Sequence, residues 1–529
     1  MGDLPMTIFW FISFLLFVAG YSWWKLRGEN LKSQEGYFLG GRSLTGVVIA
    51  GSMLLTNIST EHLIGMNGSA YRNGFIIIAW EVTSAIALVI GALYFIPRYL
   101  KMGLTTIPEF LEYRFDSFTR TVVSSFLIVS FAVTLLPIVL YTGAINFESI
   151  FEISTRLNIS KTEGLWYTVI AIGGIGSVYA IFGGLKAVAH SDTINGYGLL
   201  IGGLLIPALA LWDIGNGNIL TGLNEVYENS PEKFNVIGAA DSVLPFEVLF
   251  TGLIINQLYF WCMNQAIIQR ALGAKNLVEA QKGLIYTGVL KILIPLVIVV
   301  PGVICFYYFG DQYYGNSDII YPELVKRVLP LGLTGIFAAI VMGAVLSTFN
   351  SVLNSAATLF SIDIYKKHFN PAGNDKTVVG LGKLVSIILA ITSIIIAPFV
   401  ANAPDGLYQL MQQLNGIFFI PIASIMIAGF FFPKISANGA KAGLFTGLGF
   451  YILTTFIFNV DIHFVHIWGI EFILNFIVMV GVSYISPNKQ VFNLRDIGVV
   501  EMKHWPLAKP IGIILTIITI AIYIWLGDF

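Results

Sequence analysis

The chain has 529 residues, of which 56% are hydrophobic and 11% charged, with a net charge of −1. A soluble globular chain carries about 25% charged residues, so this one lacks the polar surface to cover several soluble domains. The near-neutral balance gives no field to steer a polyanion. Soluble enzymes, nucleic-acid binders and disordered scaffolds are therefore excluded as first readings. The two cysteines, Cys262 and Cys305, both lie in apolar runs, which excludes a disulfide framework or a CxxC metal site.

A membrane span needs about 20 mostly apolar residues. Such runs fall at 7–24, 44–69, 75–97, 121–150, 163–183, 187–212, 247–270, 280–309, 334–364, 378–400, 405–431, 439–458, 465–486 and 510–527. They predict fourteen transmembrane helices in an all-α polytopic membrane protein. The first run has no small-residue cleavage site and ends in Trp23-Trp24-Lys25, so it reads as an anchor and not a cleaved signal. The 99–119 connection reads as a short amphipathic helix around Ile107–Phe115. The longest connections are 214–246 and 310–333, the first rich in turn formers (Gly215-Asn216-Gly217-Asn218, Pro231).

Basic residues concentrate in cytoplasmic loops. With the N-terminus outside, the cytoplasmic connections hold 21 of the 29 Lys and Arg residues and the outer ones 6, with Lys291 and Lys383 inside spans. Both termini are expected outside, in the plasma membrane, or the cytoplasmic membrane of a bacterium.

The second and seventh runs are polar in the middle: Thr56-Asn57-Ile58-Ser59-Thr60-Glu61-His62 and Asn256-Gln257 through Asn264-Gln265. Irregular backbone survives in hydrocarbon only where it lines a cavity, and a matched pair of interrupted spans points to a transporter site at the midplane. The alternative is that Asn and Ser bond across packed helices. The spacing of five helices predicts two inverted five-helix repeats. The expected organisation is a peripheral first helix with its loop (1–43), a first repeat (44–213), an external loop (214–246), a second repeat (247–431) and peripheral helices (432–529).

Ionisable groups inside a span are costly and usually mark a pathway. Glu81 lies in the third run beside Trp80, Lys291 in the eighth and Asp192 in the sixth; Gln412 is in the eleventh. Carboxylate, ammonium, amide and imidazole groups around an aromatic plate suit a polyol, whose hydroxyls both donate and accept. For Glu81 and Lys291, an ion pair that only ties helices together is the competing reading. Glu471, in the thirteenth run, reads as a packing group. The ninth run carries Ser347-Thr348; such hydroxyls bond back to carbonyls one turn earlier or, with unwound carbonyls of a broken helix, bind a hard cation such as sodium.

The stretches TNISTEHLIGMNGSAY (56–71), TIPEFLEYRF (106–115), GGLKAVAHSDTIN (183–195), FWCMNQAIIQRALGAKNLVEAQKG (260–283) and LSTFNSVLNSAATLFSIDIY (346–365) resemble the sodium/solute symporter family, and within it the sodium–galactose and sodium–glucose carriers. The resemblance implies the inverted-repeat fold of the LeuT type. It implies sodium held at Leu55, Ile58, Ala344, Ser347 and Thr348, with Asp192 at a possible second sodium. It implies sugar contacts at Asn57, His62, Glu81, Ser84, Gln257, Lys291 and Gln412. The implied external gate is Met66, Trp80 and Tyr408, and the internal gate Phe260 beside Tyr259 and Trp261. Three positions depart from the galactose pattern: His62 stands where the bacterial galactose carrier has a Gln and the vertebrate glucose carriers a His, Gln257 replaces an Asn, and Phe260 a Tyr. The expected partners are sodium, a small sugar and the lipid bilayer. The alternatives are another solute, such as inositol or sialic acid, and a sodium-linked nutrient sensor, a type that usually carries an appended kinase domain. No nucleophile–base pair or metal cluster is assembled from these spans, so no enzyme is expected.

Overall fold

A computed structural model describes residues 4–27, 30–402, 407–488, 492, 494 and 496–528. Lys489 and Arg495, two of the basic residues in the cytoplasmic connections, and the C-terminal Phe529 lie outside the described residues. Those described form an all-helical protein with no strand; one parallel bridge pairs Leu44 with Ala274.

Ten helices are long and apolar enough to cross a membrane, and eleven if the bent pair Leu277–Leu293 and Pro295–Phe309 (41°) counts as one. The expectation of fourteen exceeds this by three, and each shortfall has a local cause. The second run is a 12-residue helix, Gly46–Asn57, that then breaks. The seventh is split into Gly252–Cys262 and Gln265–Leu272. The fifth is merged with the sixth in Lys161–Ile214, a 54-residue helix. At about 1.5 Å per residue that helix is more than twice the hydrocarbon thickness of about 30 Å, so it cannot be one straight crossing.

The bend is at Gly184, where φ is 58° and ψ −170°. Only glycine occupies this backbone region without strain, and a Cβ there would stand 2.7 Å from the Tyr37 carbonyl oxygen. Gly184→Ala is therefore expected to destabilise the protein by about 1–3 kcal/mol, read as a lowered melting temperature in detergent. Two other irregularities adjoin proline. Single π turns at Gly91–Phe95 and Phe131–Leu135 run directly into Pro97 and Pro137, whose missing N–H cannot join the regular ladder.

The short helix Gly46–Asn57 sits between the Lys161–Ile214 and Leu277–Leu293 helices. Glycines allow the approach: a Cβ on Gly196 would lie 2.9 Å from the Gly51 oxygen, and one on Gly283 2.4 Å from Ile49. Small residues at such contacts let backbones close up where no hydrophobic drive exists between helices.

The amphipathic helix expected in the 99–119 connection is present as Ile107–Arg114. After it, Asp116 caps the Ser117–Ser130 helix, accepting from the Thr119 N–H at 2.8 Å, and pairs with Lys441 at 2.9 Å. Burial pushes the Asp116 carboxyl up, but the hydrogen bonds from Lys441 and Thr119 outweigh it and leave the group below its usual range. A depressed carboxyl stabilises the fold above its unfolded pKa of about 4, and the contribution is lost as pH falls through the lower folded value. Asp116→Ala is expected to cost about 1 kcal/mol at neutral pH. The difference from wild type, measured by thermal unfolding, should shrink on acidification below about pH 4.

Candidate functional site

The first helix break lies at Ile58, which is extended (φ −91°, ψ 108°) between Gly46–Asn57 and the π turn His62–Met66. The carbonyls at the end of Gly46–Asn57 therefore have no next turn to bond. Two of them, Leu55 and Thr56, accept from the Thr348 hydroxyl at 3.3 and 3.2 Å. The Thr56 hydroxyl lies 3.0 Å from Ser351. The second break lies at Met263-Asn264, where the Asn264 side chain accepts from the Ala266 N–H at 2.9 Å and so restarts a helix.

Both breaks open onto one cavity of about 60 Å³. It is lined by Asn57 and His62 from the first break, Gln257, Phe260 and Trp261 from the second, and Trp80, Glu81, Lys291, Tyr408 and Gln412 from neighbouring helices. The ammonium of Lys291 donates to Asn57 Oδ1 at 2.7 Å and forms an ion pair with Glu81. It also lies 5.1 Å from the centre of the Trp261 ring. Both charged groups are buried, so each satisfies the other where neither could be left alone. Gln257 donates to the Trp80 carbonyl at 2.7 Å and to the Thr83 hydroxyl at 3.1 Å, and accepts from the Trp261 N–H at 3.2 Å. Gln412 donates to the Tyr408 hydroxyl at 3.2 Å.

An aromatic cap covers one side. Ring centroids of His62 and Tyr408 are 5.4 Å apart, those of Trp80 and Tyr408 5.9 Å, both edge to face. Phe260, also in the cavity lining, is only half-buried.

Three expected residues are not at the cavity. The Ser84 hydroxyl turns back to the Glu81 carbonyl one turn earlier. Met66 is fully buried in the helical core. Tyr259 stacks on Phe419 with centroids 4.2 Å apart. Glu471 is buried in the Phe464–Ile485 helix, outside the cavity lining.

The structure adds groups that the sequence reading left unassigned. Glu61 lines the cavity beside His62, with Oε1 3.6 Å from Nδ1 and Oε2 without a hydrogen-bond partner among the described residues. Its signal was present in the same polar run. Asn256, Asn264 and Asn415 also line the cavity. Arg270, counted with the basic connections, is fully buried. It donates to the Ser52 hydroxyl at 3.3 Å, and Ser52 donates to Asp192 Oδ2 at 2.7 Å. Ser347 lies beside Asp192. The hydroxyl pair Ser347-Thr348 thus stands between the carbonyls of the broken helix and this buried carboxylate.

The family model described as the sodium:solute symporter family matches residues 37–447. The chain is similar to the Escherichia coli (strain K12) symporter YidK, 44% identical over 524 residues, covering 99% of this chain and 91% of that protein. It is similar to the sodium/glucose cotransporter of Vibrio parahaemolyticus at 32% identity, covering 84% of each chain, and to the bovine (Bos taurus) sodium/myo-inositol cotransporter at 27%, covering 92% and 73%. Among solved structures, a Na+-coupled sialic acid symporter in its substrate-bound outward-open state superposes with a TM-score of 0.76 at 20% identity, covering 92% and 99%. Mhp1, a nucleobase-cation-symport-1 family transporter, superposes at 0.55 and 15% identity, covering 84% and 94%. These neighbours share the inverted-repeat fold of the LeuT type. The chain is a multi-pass membrane transporter, not an enzyme, and belongs to the sodium:solute symporter family.

Proposed function

We propose that this protein imports a neutral sugar, a hexose such as galactose or glucose, together with sodium by alternating access. The observation that carries the reading is the arrangement of Glu81, Lys291, Asn57, Gln257, His62 and Gln412 around one small cavity with aromatic walls. Carboxylate and amide oxygens accept from sugar hydroxyls; ammonium and amide N–H groups donate to them. The charge tally favours a neutral solute over a sugar acid. Glu81 already neutralises Lys291, and Glu61 adds a second carboxylate, so among the described residues no spare Lys or Arg faces the cavity. Inositol is the second reading, because it is a neutral polyol and named relatives carry it.

Sodium is held by Ser347 and Thr348 with the carbonyls of Leu55, Ile58 and Ala344. The carbonyl end of a helix carries partial negative charge, and Gly46–Asn57 ends there. Asp192, beside Ser347, offers a carboxylate for a second sodium. Bound sodium joins the broken helix to the Leu331–Thr358 helix and so favours the state whose cavity opens outward, with both termini outside. Sugar binding lets Met66, Trp80 and Tyr408 close above it, and release follows past Phe260, flanked by Tyr259 and Trp261. The difference in sodium affinity between the two states supplies the coupling, and each charge moved inward contributes about 2.3 kcal/mol per 100 mV.

Counterflow uptake in proteoliposomes tests this directly. Sodium and proton gradients are compared against labelled hexoses, pentoses, inositol and sialic acid. Sodium-dependent exchange of a hexose supports the reading; exchange of sialic acid alone would overturn it.

A further inference from the structure

One end of the solute cavity is closed by a buried polar floor that neither the solute site nor the sodium site uses. Ala266 and Ile267, on the half-helix after the second break, line the cavity, as do Thr348 and Val352 on Leu331–Thr358. About one turn further along both helices stands Gln269. Its amide N–H groups are shared among Asn354 Oδ1 at 3.1 Å, the Thr358 hydroxyl at 2.9 Å and the Phe38 carbonyl at 2.8 Å. Its oxygen accepts from the Ser355 hydroxyl at 2.7 Å. All of these residues are buried. The bonds tie the half-helix to Leu331–Thr358 immediately beyond the cavity.

Phe38 belongs to the short helix Gln34–Leu39, which bridges two bodies. Toward the half-helix, Arg42 donates to the Leu272 carbonyl at 3.0 Å and the Leu44 N–H to the Gly273 carbonyl at 3.1 Å. Toward the long helices, the Tyr37 hydroxyl donates to the Ile181 carbonyl at 3.1 Å and the Gln34 N–H to Asp375 Oδ2 at 3.2 Å. Glycines admit the backbone on both sides: a Cβ on Gly273 would stand 2.6 Å from the Leu39 oxygen, and one on Gly184 2.7 Å from the Tyr37 oxygen. Residues 34–42 therefore form a strap beneath the floor. The strap lies at the start of Gly46–Asn57, where Leu44 pairs with Ala274, whereas His62 and the aromatic cap follow the end of that helix. Its 12 residues span about 18 Å. Floor and cap thus close opposite ends of one cavity, and a solute that crosses must pass one after the other.

We propose that Gln269 is the latch of this exit: its bonds to Ser355, Thr358 and the Phe38 carbonyl hold the floor shut, and release begins when the half-helix and strap part from Leu331–Thr358. The inference rests on the alternating-access reading. A neutral amide suits the role. Its bonds are modest in net strength and can be exchanged for bonds to water, whereas parting a buried ion pair leaves an uncompensated charge.

The test uses the full-length protein in right-side-out and inside-out membrane vesicles, with Cys262→Ala, Cys305→Ala and a single reporter, Val352→Cys, in the cavity wall. A membrane-impermeant cationic methanethiosulfonate is added in sodium without solute, and the labelling rate is read by mass. Gln269→Met keeps the volume and removes the amide. It should speed labelling about tenfold, the factor that losing one or two net hydrogen bonds gives, and only from the strap's face, the cytoplasmic one on the distribution of basic residues. Ser355→Ala should speed it about threefold alone and add little to Gln269→Met, because it acts through Gln269. A merely loosened fold would raise labelling from both faces, and the two effects would add; either result overturns the latch. So does unchanged labelling in the variants, with Ser355→Ala read alone where Gln269→Met does not assemble. In the protein carrying only the reporter, removing sodium should shift labelling from the two faces in opposite directions. If it does not, alternating access fails and the latch with it; if it does and the variants change nothing, the latch alone fails. The identity of the solute enters neither readout.

Discussion

Lys291→Ala is expected to lose solute binding altogether and to destabilise the protein by about 3–5 kcal/mol, because it leaves the Glu81 carboxylate buried without its partner. A stability loss alone would fit a pair that merely ties two helices together. The double substitution Glu81→Gln with Lys291→Met separates the two roles. Removing both charges of a buried pair is often neutral or stabilising, so the double variant should unfold near the wild-type temperature and still fail to bind solute. Gln412→Ala gives an independent check, since Gln412 carries no charge and its one side-chain hydrogen bond among the described residues is to Tyr408. It too should abolish binding while the fold persists. Calorimetric titration with the solute found by counterflow, beside thermal unfolding, reads both quantities. Normal binding by Gln412→Ala or by the double variant would refute the solute-site assignment.

Thr348→Ala is expected to raise the sodium concentration for half-maximal uptake about tenfold or more. The hydroxyl bridges toward the Leu55 and Thr56 carbonyls at the helix break, and a hydrogen-bond or ligand contact to a charged species is worth about 1.5–3 kcal/mol, where 1.4 kcal/mol is tenfold. Thr348→Ser keeps the oxygen and should restore most of the affinity. Solute affinity at saturating sodium should change little. Sodium activation that is unchanged in Thr348→Ala would remove this residue from the sodium site.

Some of this site could be read directly along the chain. The two polar interruptions, at Thr56–His62 and Asn256–Gln265, announce themselves because such groups in an apolar run need a reason. Glu81 and Lys291 stood out for the same cause. Other parts could not be read that way. Arg270 follows a break that shifts its short helix inward, so a residue that looks like a loop charge becomes a buried neighbour of Ser52. Glu61 stood in the same polar run as His62, but only the packing shows that it faces the cavity. Ser84 was expected at the solute and instead bonds its own helix, an option open to any serine one turn from a carbonyl.

Composition and pattern alone determined that this chain is an all-helical membrane protein with two broken spans, because apolar length and the cost of buried charge are local properties of sequence. Which polar groups meet was decided only by the tertiary structure. Glu81 and Lys291 are 210 positions apart, and Lys291 and Asn57 234. No periodicity links residues at such distances; helix packing brought them to one cavity, through glycines that let the backbones approach and breaks that turn side chains inward.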